Sequence, residues 1–108
     1  MKLLSGIKLL EEVEGNGVPI KKRDYVKINL NAWLNSGKQI QTNDQCIVDV
    51  SSRTLIAGLE KSILGMKTSG IRKVKISPHL AYGDKGVPNL IPPNSVLIYE
   101  IQILEIIT

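Results

Sequence analysis

One short stretch limits the folds open to this chain more than any other. In Leu55–Met66 the apolar residues Ile56, Leu59, Ile63 and Met66 recur at the spacing of a buried helix stripe. Around it the apolar residues alternate instead. Val26, Ile28, Leu30, Ala32 and Leu34 share one side of Tyr25–Leu34, with Lys27, Asn29 and Asn31 on the other. Cys46, Val48 and Val50 repeat the pattern, as do Val74 and Ile76 within Arg72–Ser77 and Leu97, Tyr99, Ile101 and Ile103 within Ser95–Ile106. Ile7–Val13 also reads as strand and ends in the turn Glu14-Gly15-Asn16-Gly17, while Asn35-Ser36-Gly37-Lys38 supplies a hairpin before Gln39–Thr42. Several strands, one short helix and no repeated strand–helix–strand unit predict an α+β fold. An antiparallel sheet covers a single helix over Ile56–Leu64, with Gly65 as its stop.

Composition sharpens this. The 108 residues suffice for a single domain spanning 1–108, with a core made aliphatic by the want of aromatics: 4 %, and no Phe. The net charge is +4, from 14 Lys and Arg against 10 Asp and Glu; the basic residues form a run, Lys21-Lys22-Arg23, and an alternating set, Arg72, Lys73 and Lys75, with Glu11, Glu12, Glu14 and Asp24 interrupting. Scarce stacking aromatics argue against nucleic acid, so both basic sets are read as solvated faces. Cys46 is the only cysteine, which rules out an internal disulfide and fits a reducing, cytoplasmic setting. The start Met1–Gly6 is too short in apolar length for a signal peptide, and no apolar run approaches a membrane span. A monomer is expected, with no membrane partner, no cofactor and no metal. His79 and Trp33 are expected at the surface or in packing, and Asp49 with Ser51 and Ser52 is read as a turn.

The informative stretch is Ala81–Glu100. It is a long connection between strands, stiffened by Pro88, Pro92 and Pro93 and tightened by Gly83 and Gly86. Connections of this length are usually functional or disordered, and the apolar pair Leu90-Ile91 argues for an ordered one. Its Ala81-Tyr82-Gly83, Ile91-Pro92-Pro93-Asn94 and Leu97-Ile98-Tyr99 resemble the FKBP family of macrolide-binding prolyl isomerases. Leu55-Ile56-Ala57-Gly58-Leu59-Glu60, Gly65-Met66-Lys67 and Gly70-Ile71-Arg72 follow the family's order and spacing, and Ala32-Trp33-Leu34 with Gly37-Lys38 resembles its hairpin.

The resemblance implies a twisted antiparallel half-barrel wrapped around the helix, and a peptidyl-prolyl cis-trans isomerase acting on proline-containing peptides or unfolded chains. It assigns the carbonyl-directed donors to the Tyr82 hydroxyl and the Ile56 backbone N–H. It places Leu55, Val87, Leu90, Ile91 and Tyr99 around the proline pocket. The departures fall in that pocket. Leu59 stands for a Trp floor, Leu30 for a Tyr, Ile40 for a Phe, Gln41 for an Asp, and Cys46 for another Phe; Val87 replaces a loop His. Reduced activity and weak macrolide binding are therefore expected. Two alternatives stand beside the enzyme: a non-catalytic peptide- or protein-binding module, and a structural domain whose pocket is filled by its own leucines.

Overall fold

Alternation becomes sheet and the stripe becomes helix. The computed structural model describes residues 6–50 and 55–107; Met1 to Ser5 and Ser51 to Thr54, which include Ser51 and Ser52 of the expected turn, lie outside it. Strands β1 (Ile7–Val13), β2 (Tyr25–Leu34) and β3 (Gln39–Asp49) precede helix α1 (Ala57–Ile63), followed by β4 (Ile71–Ile76), a 3-10 turn (Pro78–Leu80) and β5 (Leu97–Ile107). All four pairings are antiparallel, in the order β1-β4-β5-β2-β3. The two segments expected on either side of Asn43 are one strand, β3, whose register slips between Ile28 and Leu30 and again after Ala32. Such bulges bend a strand and curl a sheet edge.

The inward phase of each strand makes the core. Val26, Ile28, Leu30 and Ala32 of β2 meet Leu97, Tyr99, Ile101 and Ile103 of β5, all buried, and α1 lies against this face through Leu59 and Ile63. Burying side chains of this size is worth about 1.5–3 kcal/mol each. The helix can approach closely because Gly58 and Ser62 are small. A Cβ on Gly58 would stand 2.5 Å from Ile76 Cγ2, and the Ser62 hydroxyl turns back to donate to Gly58 O at 2.7 Å. After Leu64 the chain reverses through Gly65 at φ 85°, and Ile20 straps the helix end by donating to Met66 O and accepting from Gly65 N–H.

One sequence expectation is corrected here. Arg72 is not part of a solvated basic face: it is 5 % exposed and shares the inward phase of β4 with Val74 and Ile76. Its Nε donates to Glu12 Oε2 at 2.6 Å, and its Nη1 donates to Ser62 O at 2.8 Å and Leu64 O at 3.3 Å. Those carbonyls sit at the helix C-terminus, where no backbone N–H remains to satisfy them. The guanidinium thus joins β1, β4 and α1, and it complements the negative end of the helix. Lys73, one residue on, points outward as expected, its Nζ lying 5.5 Å from the Trp33 ring centroid.

Candidate functional site

The concave side of the sheet, the start of α1 and the loop after the 3-10 turn converge on one apolar region. Leu30, Leu59, Ile91 and Tyr99 belong to the buried core there, and Ile40, Cys46, Leu55, Ile56 and Val87 pack against it half-buried. The helix start delivers Ile56, which is extended (φ −63°, ψ 151°) and stands one residue before the first turn. Its carbonyl accepts from Leu59 and Glu60, while its own N–H has no acceptor inside the helix. The register settles Cys46, which faces Ile28 across the ladder and so shares the concave face. Burial pushes its thiol upward, partly offset by a backbone hydrogen bond, so the group stays a neutral apolar filler.

The loop is rigid by construction. Val87 and Ile91 exchange backbone hydrogen bonds at 2.9 and 2.8 Å, Gly86 N–H donates to Tyr82 O, and Asn94 N–H donates to Gly83 O. Gly86 adopts φ 62°, and a Cβ there would stand 2.2 Å from Ile91 O, so this position requires glycine. The loop leaves Tyr82 at the rim, 38 % exposed. The buried Tyr99 neighbours it, with a pKa raised through burial first and then through Tyr82.

Three expected site residues lie elsewhere than a pocket lining would need. Leu59 is only 3 % exposed, so its side chain is core rather than an open floor. Gln41 faces Ala32 across the ladder, but its Nε2 donates to Asn43 Oδ1 at 2.8 Å, along its own strand. Leu90 is 44 % exposed, whereas Ile91 beside it is 5 % exposed. Leu90 lines a cleft of about 420 Å³ between the loop and the β2–β3 hairpin, with Leu34 and Lys38 of the hairpin motif and with Lys85, none of which the sequence marked as a site residue. A lysine inside a proline-stiffened loop was the available signal. By contrast, the crevice around Glu12 and Arg72 holds only about 10 Å³, room for a water and no more.

An antiparallel sheet packed on one helix thus brings the exposed Tyr82 hydroxyl and the Ile56 backbone N–H to the border of an almost wholly aliphatic core. The family model described as FKBP-type peptidyl-prolyl cis-trans isomerase matches residues 17–104, and the chain belongs to that family. FK506-binding protein 1A of Neurospora crassa is 34 % identical over 108 residues, covering 95 % of this chain and 90 % of that protein. FK506-binding protein 1 of Debaryomyces hansenii is 31 % identical, covering 93 % and 92 %. FK506-binding protein 4 of Chaetomium thermophilum is 34 % identical over 98 % of this chain, which spans 22 % of that longer relative. Among solved structures, a peptidyl-prolyl cis-trans isomerase of Pseudomonas syringae pv. tomato superposes with a TM-score of 0.89 at 24 % identity, covering all of this chain and 80 % of that one; this likeness concerns the fold.

Proposed function

We propose that the chain catalyses cis–trans isomerisation of prolyl bonds in proline-containing peptides and unfolded chains, at a rate below that of relatives with an aromatic pocket. The reaction twists an amide out of resonance against a barrier of roughly 20 kcal/mol. It needs no nucleophile, only an environment that favours the twisted, less charge-separated amide and donors that hold the flanking carbonyls. The observation that carries this reading is the Tyr82 hydroxyl, 38 % exposed beside the buried Tyr99 of an otherwise aliphatic core that includes Leu30, Leu59 and Ile91. Leu55, Ile56 and Val87 would flank the proline ring, with Ile40, Cys46 and Gln41 toward the β3 edge. Aliphatic walls keep water out but offer a ring less matched area than aromatic ones.

On the same reading the chain works as one domain and a monomer in a cytoplasmic setting. Macrolides of the kind for which the FK506-binding relatives are named would bind weakly, since the Trp floor and the acidic acceptor are both replaced. No helix among the described residues is long and apolar enough to cross a membrane. The burial of Leu59 and Leu30 favours a second reading, a binding module whose bowl is partly filled by its own leucines. A protease-free isomerisation assay separates the two. The enzyme reading expects acceleration that falls modestly in Tyr82→Phe. No acceleration at high enzyme concentration would falsify it and leave the module.

A further inference from the structure

The cleft outside the loop has the character of a site. Its volume, about 420 Å³, falls in the range of ligand-binding clefts. Both walls are fixed before any ligand arrives: the loop by the Val87–Ile91 pair of hydrogen bonds, the hairpin by Leu34 N–H donating to Lys38 O at 2.8 Å and Asn35 N–H to Val96 O at 3.2 Å. Binding there would cost little reordering. The lining is apolar through Leu34, Val87, Leu90 and Ile91, and Leu90 is a large apolar side chain left uncovered. Among the described residues, Lys38 and Lys85 are the charged ones that line it, both positive, and no acidic residue does. Neither lysine forms an ion pair among the described residues. An occupant should therefore carry an apolar body and a negative head.

We infer that this cleft receives a segment of the polypeptide substrate outside the prolyl bond, in which an apolar side chain neighbours an Asp or Glu. The inference rests on the prolyl-isomerase reading, because one short loop borders both sites: Ile91, 5 % exposed, belongs to the core and also reaches the cleft, while Leu90 stands 44 % exposed in the cleft. The apolar side chain packs on Leu34 and Leu90, and the carboxylate sits between Lys38 and Lys85. The cleft then selects substrates by the residues flanking the proline, which the prolyl bowl itself cannot read.

The test uses short proline peptides carrying a Glu-Leu pair on one or the other side of the proline, each matched to a Gln-Leu version. Isotope-labelled protein is titrated with each peptide, and prolyl exchange is measured in the same samples. The expected result is binding of one Glu peptide about fivefold tighter than its Gln match at low salt, with the preference fading at high salt. Amide shifts should centre on Lys38, Lys85 and Leu90, and Lys38→Gln with Lys85→Gln should bring the two affinities together. Equal affinities in the unaltered protein, no binding of any peptide, or a preference that survives both substitutions would overturn the inference. The prolyl exchange reports separately. Acceleration without a Glu preference sinks the cleft and keeps the isomerase, whereas a Glu preference without acceleration does the reverse.

Discussion

Replacing Arg72 by Met tests whether a buried guanidinium holds the helix to the sheet. Met keeps the length and apolar stem but removes every donor. Ser62 O, bonded at 2.8 Å in a fully buried setting, then has no partner, and an unsatisfied buried acceptor costs about 1–3 kcal/mol. Leu64 O, at 3.3 Å and half-buried, adds less. Removing one member of a buried pair costs about 3–5 kcal/mol in general, but the Glu12 side chain is 26 % exposed and can turn to water. About 3 kcal/mol is therefore expected for Arg72→Met, a large share of the 5–15 kcal/mol typical of a domain. Glu12→Gln leaves the guanidinium bonded to both carbonyls and should cost about 1 kcal/mol. Urea unfolding of the two variants measures both losses, and amide exchange should quicken at Ser62–Leu64 in the first only. A loss below about 1 kcal/mol for Arg72→Met, or a larger loss for Glu12→Gln, would refute the anchor and return Arg72 to the status of a surface charge.

Gly86→Ala should destabilise the loop by several kcal/mol, because it adds a Cβ at φ 62° and 2.2 Å from Ile91 O; thermal melting checks this, and a neutral substitution would mean the loop can rearrange. Leu59→Trp should cost about 1–3 kcal/mol by overpacking rather than restore an aromatic floor, since Leu59 already lies within the core; a stabilised variant with tighter proline-peptide binding would show spare room. Tyr99 ionises more readily unfolded, near its ordinary value of 10.0, than folded, where its pKa is raised. Its contribution is thus fully present below pH 10 and lost as pH climbs above it, by up to about 1.4 kcal/mol per pH unit. Urea midpoints at pH 9 and 11 should fall less in Tyr99→Phe than in the unaltered chain; equal falls would assign the alkaline loss to other groups.

Much of the fold was legible because period-two alternation and a helical stripe report directly on which face is buried. Helix bounds of Ile56–Leu64 differ from Ala57–Ile63 only by its two caps. Arg72 was legible too, since it occupies the inward phase of Arg72, Val74 and Ile76, but its charge outweighed its position in the reading. Only the fold brings Glu12 and the helix carbonyls to it. The candidate site was harder. Leu90 and Ile91 read as one apolar lid, yet Leu90 lies in the tight turn closed by the Val87–Ile91 bridge, so Ile91 is buried while Leu90 is left exposed. Position 99 read as an aromatic wall, whereas only the fold shows it buried beside Tyr82. Lys38 and Lys85 are far apart in sequence, and nothing in the composition joins them.

The strand order has a consequence for synthesis. β5 lies between β4 and β2, and it is the last strand of the fold to leave the ribosome. Until it emerges, β2–β3 can close as a hairpin and β1 can meet β4, but these are two pieces with no ladder between them. Each exposes the edge that β5 will occupy, and unpaired edges invite pairing with another chain. The nascent domain therefore passes through a vulnerable interval that ends only when Leu97–Ile107 slots in, fastening both pieces in a single late event.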